Sequence, residues 1–91
     1  MIKSFRHKGL KELFETGTTG RIQSTFHQRC LRRLDALDRA RLTQDMNVPG
    51  FDFHPLRGKP VRYSVHVNGP WCITFEFEDG DALRVDFEQY H

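Results

Sequence analysis

The sequence predicts an α+β fold, a small, mostly antiparallel sheet with an N-terminal helical hairpin packed on one face. Three observations lead there. Between Val61 and Phe77 two runs alternate apolar and polar residues with period 2, joined at Asn68-Gly69-Pro70. A third alternating run follows Asp79-Gly80, a dipeptide that supplies the positive φ of a tight hairpin turn. Ahead of these, the first forty residues place apolar side chains at i, i+3, i+4 spacing, the signature of helices with one buried stripe.

Taken in order, Met1–Phe5 reads as a short strand anchored by Ile2 and Phe5. Lys8–Phe14 reads as a short helix, with Leu10, Leu13 and Phe14 on one face. The two glycines of Thr16-Gly17-Thr18-Thr19-Gly20 stop it and turn the chain. A longer helix spans roughly Ile22–Ala40, its stripe formed by Phe26, Cys30, Leu34 and Leu37 with Leu31 flanking. Leu42–Met46 adds one helical turn before Asn47-Val48-Pro49-Gly50 breaks the pattern. Residues 53–60 read as a polar lead-in loop carrying His54, Arg57 and Lys59. Val61, Tyr63, Val65 and Val67 then face the core, as do Trp71, Ile73, Phe75 and Phe77 in the next strand. Leu83, Val85 and Phe87 complete the apolar face from the last strand. The opposite face is expected to be wet, with Arg62, Ser64, His66, Cys72, Thr74 and Glu76 on it.

Ninety-one residues suffice for one domain and one core, so residues 1–91 are read as a single domain. No apolar run approaches the roughly 20 residues of a membrane span, and the opening residues do not read as a signal peptide. Cys30 and Cys72 fit neither a disulfide framework nor a zinc spacing, which points to reduced thiols in the cytoplasm. Charge is lopsided. Residues 1–42 carry ten Lys/Arg against four acids, residues 43–91 four against eight. A basic helical half suits an anionic partner such as nucleic acid, although a solvated helix face has the same composition.

Several motifs together carry a family resemblance. They are the opening MIKSFRHKGLKELFETG, His54-Pro55-Leu56-Arg57-Gly58, Tyr63-Ser64 leading to Val67-Asn68-Gly69-Pro70-Trp71, the Phe75-Glu76-Phe77-Glu78-Asp79-Gly80-Asp81 turn, and the terminal Tyr90-His91. The chain resembles the HigB branch of the RelE/ParE toxins of bacterial type II toxin–antitoxin pairs over nearly its whole length. The resemblance implies a RelE-like sheet with a helical hairpin, mRNA cleavage on the translating ribosome, and neutralisation by a HigA-like helix-turn-helix antitoxin. Operator DNA would be reached only through that antitoxin. Two positions depart from the family pattern. Cys72 stands where the family usually reads Trp-Arg-Ile, and Gln89 where Asp usually precedes Tyr-His. A cysteine offers no cation to a phosphate, which implies weakened turnover by about 10²–10³-fold if nothing replaces it.

Cleaving RNA by attack of the ribose 2′-OH on the adjacent phosphate needs a base, an acid and cations, and neither a metal nor another cofactor. His54 and His91 are the candidate acid–base pair, because histidine titrates near neutrality. Arg57 is the candidate catalytic cation, with Lys59 and Arg62 binding RNA beside it; an arginine fork grips phosphate with two donors. Tyr90 is placed to stack on a base or donate a hydrogen bond. Arg32 and Arg33 on the basic helix are expected to meet ribosomal RNA, and Arg62 is the one cation on the strand beside Cys72. His7, His27 and His66 have no evident role. No Asp, Glu or His pattern suggests a metal site. Two alternatives share these residues: a catalytically silent module that binds antitoxin and ribosome, and a ParE-like gyrase inhibitor, which would need no acid–base pair.

Overall fold

The computed structural model describes residues 1–90. Helix α1 (Lys8–Thr16) is two residues longer than its apolar spacing suggests. His7 caps its start, with Nδ1 accepting the Leu10 N–H at 3.2 Å. Gly17, at φ 86°, closes its end by donating to Leu13 O, a conformation that favours glycine. Helix α2 (His27–Arg39) is shorter than the periodicity indicates, because a 3₁₀ turn at Ser24–Phe26 precedes it. The helical turn expected before the Pro49-Gly50 break is a second 3₁₀ turn, Thr43–Met46. The Asp45 carboxylate accepts the Arg41 and Leu42 N–H groups there, and those two bonds hold its pKa below the usual range.

The sheet has four antiparallel strands in the order β1 (His54–Leu56), β2 (Arg62–Asn68), β3 (Trp71–Glu78) and β4 (Asp81–Gln89). Two features differ from the pattern. Met1–Phe5 is no full strand; it makes two isolated parallel bridges, Ile2 with Ala82 and Phe5 with Val85. The fourth strand comes instead from His54–Leu56, within the expected loop. Pro55 is compatible with that edge because an edge strand has one side without ladder bonds.

Both helices lie on one face. Leu10, Leu13, Cys30, Leu34 and Leu37 meet Val65, Val67, Ile73, Phe75, Val85 and Phe87 in a single buried cluster. Trp71 stacks on Phe87 at 4.7 Å, and Tyr63 lies between Phe53 and Phe75. Val61 is outside the core, since β2 starts one residue later. Leu83 also changes sides. A bulge at Arg84, whose φ is 49°, sets Leu83 opposite Glu76 and Ala82 opposite Phe77, so Ala82 takes the core position. No described helix is long and apolar enough to cross a membrane.

Candidate active site

The face away from the helices is ordered by the strand register. One row runs His54–Ser64–Thr74–Asp86, the next holds the pairs Leu56–Arg62 and Glu76–Leu83, and a third places His66 and Cys72 beside Glu88. The centre of this face is not wet. Ser64 and Thr74 are fully buried and Cys72 is 6% exposed, so small side chains form a floor that longer ones cover. Cys72 is therefore an element of the floor, with its Sγ 4.0 Å from Pro70 O.

His54 stands exposed on the edge strand β1. Its Nδ1 lies 2.9 Å from Asp52 O. A carbonyl can only accept, so Nδ1 carries a proton, and in the neutral ring the lone pair is on Nε2. Asp52 holds its carbonyl there from a left-handed conformation, φ 47°. His66 is engaged otherwise, its Nε2 bonded to Gly69 O at 2.9 Å.

Arg62 reaches across the floor from β2. Its Nη1 donates to Glu88 Oε2 on β4 at 2.7 Å and to Thr74 Oγ1 on β3 at 3.3 Å, and the Thr74 hydroxyl donates to the same Glu88 oxygen. Partial burial would raise the Glu88 pKa, but the Thr74 and Arg62 hydrogen bonds and the charges of Arg62 and Arg6 together hold it below the usual range. Glu88 and Thr74 escape a sequence search because the signal is a register relation between strands, not a spacing. On the neighbouring row Arg84 donates to Glu76 at 2.8 Å. Ser4, Phe5, Arg6 and Pro60 join Glu76, Glu78 and Arg84 around a groove at that end of the face.

Arg57 and Lys59 lie in the exposed loop that leaves β1 beyond Leu56, and neither makes an ion pair among the described residues. Tyr90 is at the opposite corner. Its N–H bonds Pro70 O at 2.8 Å, extending the ladder past β4. Three strand spacings of about 4.8 Å, roughly 14 Å in all, separate the β1 and β4 backbones, and Tyr90 lies a further four residues along β4 from the row of His54. The face thus brings His54 and Arg62 onto adjacent rows, with Arg57 and Lys59 at one end and Tyr90 at the other. His91 lies outside the described residues.

The helix arginines separate. Arg32 is exposed on α2, the helix that packs on the other face of the sheet from the His54–Ser64 row. Arg33 is 7% exposed and turned inward, which removes it from any phosphate-facing set. Its Nε, Nη1 and Nη2 donate to His66 O, Arg29 O and Gly50 O, and its guanidinium lies 4.6 Å over the Phe51 ring. Burial, then the charge of Arg32, lowers its pKa from the ordinary value.

A family model described as the RelE-like toxin of the type II toxin–antitoxin system HigB matches residues 3–91. The chain is 44% identical over 92 aligned positions to the Endoribonuclease HigB of Proteus vulgaris, covering all of both chains. It is 31% identical over 88 positions to Toxin HigB-1 of Vibrio cholerae serotype O1, covering 93% of each. The family model and the Proteus relative span the four-stranded sheet, the helical pair and the face that carries His54 and Arg62, and on that ground the chain belongs to the RelE-like HigB toxins of type II toxin–antitoxin systems.

Proposed function

We propose that this protein is an endoribonuclease toxin that cuts mRNA on the translating ribosome by metal-independent attack of a ribose 2′-OH on its own phosphodiester. The observation that carries this reading is the pairing of an exposed imidazole with an open Nε2, on His54, and a guanidinium on the adjacent row, on Arg62. The first can take a proton and the second can hold a phosphate, which are the demands of that reaction. His91 is the proposed partner acid from the carboxyl end, and Tyr90 a base-stacking group. Arg57 and Lys59 extend the cationic track along the RNA. Arg32 meets ribosomal RNA through phosphate contacts on the opposite surface. The endoribonuclease name of the Proteus relative supports the activity. A HigA-like helix-turn-helix antitoxin neutralises the toxin and alone reaches operator DNA, and the toxin acts in the cytoplasm, where ribosomes are.

One observation favours the silent-module reading: Cys72 is buried in the floor and brings no charge to it. The experiment that decides is incubation of the purified protein with translating ribosomes and with naked mRNA. Cleavage on ribosomes only, leaving 2′,3′-cyclic phosphate ends, is the expected result. Equal cleavage of naked RNA, or 3′-hydroxyl ends, overturns the mechanism. No cleavage, together with no growth arrest on expression, selects the silent module.

A further inference from the structure

We propose that Glu88 and Thr74 are positioning residues that fix the Arg62 guanidinium, so that its Nε and Nη2 edge receives one phosphodiester of a single-stranded RNA. This rests on the nuclease reading and adds to it how the cation is held.

The geometry is asymmetric. All the contacts converge on one nitrogen and one oxygen, Arg62 Nη1 and Glu88 Oε2, with the Thr74 hydroxyl bridging them. Among the described residues Arg62 Nε and Nη2 donate no hydrogen bond. Arg33 is the internal contrast, for its Nε, Nη1 and Nη2 are all taken by backbone carbonyls. An arginine kept only for an ion pair would favour the two-donor fork with its carboxylate. Arg62 uses one arm and leaves the edge that fits two phosphate oxygens. The pair is neither sealed nor free, with side-chain exposures of 27% for Arg62 and 29% for Glu88. Water and a ligand can reach it, yet the side chain is tied to three strands at once and loses little further rotamer freedom when phosphate arrives. Glu88 has an opposing effect, since its negative charge repels the incoming phosphate. It therefore favours orientation over affinity, and this separates positioning from simple charge attraction.

The test uses the ¹⁵N-labelled full chain and two probes, a 2′-O-methyl RNA hexanucleotide, which cannot attack internally, and inorganic phosphate. The Arg62 Nε–H signal, assigned by its loss in Arg62→Lys, should shift with the RNA and less with phosphate alone. In Glu88→Gln the RNA should bind at least as tightly. On translating ribosomes Glu88→Gln and Thr74→Val should each lower kcat by about tenfold or more without raising KM. A merely structural pair would lower the melting temperature and leave kcat unchanged, which would overturn the proposal. So would an Arg62 Nε–H signal that stays fixed while RNA shifts the signals of Arg57. If the wild-type chain cuts no message at all, the nuclease reading fails while the Arg62 signal still decides how the phosphate is held.

Discussion

Arg33→Ala should destabilise this protein far more than the loss of any other arginine of α2. His66 gives its N–H to Phe51 O at 2.6 Å, so its carbonyl faces the same edge of β2, beyond the end of β1. Arg33 Nε fills that place at 2.5 Å, as a strand partner would. Removing it leaves a shielded acceptor without a donor, and a charge-assisted bond of this kind contributes about 1.5–3 kcal/mol. The Arg29 carbonyl loses less, because it lies at the i−4 position that α-helix hydrogen bonds already satisfy. The Gly50 contact, at 3.4 Å, adds little. Loss of the guanidinium over Phe51 removes about 1 kcal/mol more. The sum is about 3 kcal/mol, a large part of the roughly 5–15 kcal/mol that stabilises a domain. At about 4–8 °C per kcal/mol for a chain of this size, the melting temperature should fall by more than 10 °C. Urea unfolding of Arg33→Ala beside Arg32→Ala measures it, with Arg32→Ala expected within about 0.5 kcal/mol of wild type. An Arg33→Ala chain as stable as wild type but deficient in ribosome binding would refute the assignment of Arg33 as a strut.

Other outcomes follow from the same geometry. Arg62→Ala should lower cleavage by about 10²–10³-fold, and adding Cys72→Arg to it should restore at least part of that, since position 72 faces Glu88 from the next strand; no recovery in the double variant would show that a guanidinium on β3 cannot serve. Ser64→Ala should be neutral or stabilising by about 1 kcal/mol, because the buried Oγ has no partner among the described residues, and a clear loss in urea would mean that the hydroxyl is bonded. Neither thiol should alkylate in the folded protein at pH 8. Burial pushes Cys30 up to about 11, despite the opposing charge of Arg33, and Cys72 is shielded in the floor; rapid labelling of either, read by mass spectrometry before and after urea, would contradict this. Arg32→Glu should weaken ribosome binding and flatten its salt dependence, and unchanged binding would exclude α2 as an RNA contact.

The strands were legible because period-2 alternation is a local signal, and β2 and β3 follow it. What periodicity cannot carry is the bulge. Arg84 adopts a left-handed conformation that its residue type does not announce, and one extra residue there sends Leu83 outward and Ala82 inward. Likewise β1 has three residues, one of them proline, too short for any alternation to register. Among site residues, His54 stood out by its motif and is exposed on the open face. Glu88 and Thr74 did not, because their meaning depends on Arg62 crossing from β2, which only the register reveals. The wet face was overdrawn for a similar reason: Ser64, Cys72 and Thr74 are polar or small enough to read as exposed, and longer side chains on the same face bury them.

Counting charges does not locate the proposed phosphate site on the sheet, for a related physical reason. The basic half of the chain contains Arg33, whose three nitrogens each donate to a backbone carbonyl, while the acidic half contains Arg57, Lys59 and Arg62. On the sheet face Glu88 pairs with Arg62 and Glu76 with Arg84, so each of those two arginines has its charge offset locally. The proposed phosphate site there relies on the geometry of unoccupied donors, whose contacts salt screens weakly. On the helix side Arg29, Arg32 and Arg39 are exposed, and the proposed ribosome contact through them should release counterions. Association with the ribosome should therefore fall steeply as salt rises, while the cleavage rate of already bound complexes should change little. A cleavage step with the same steep salt dependence as binding would place the controlling cations on one surface and dissolve the division of labour between α2 and the sheet.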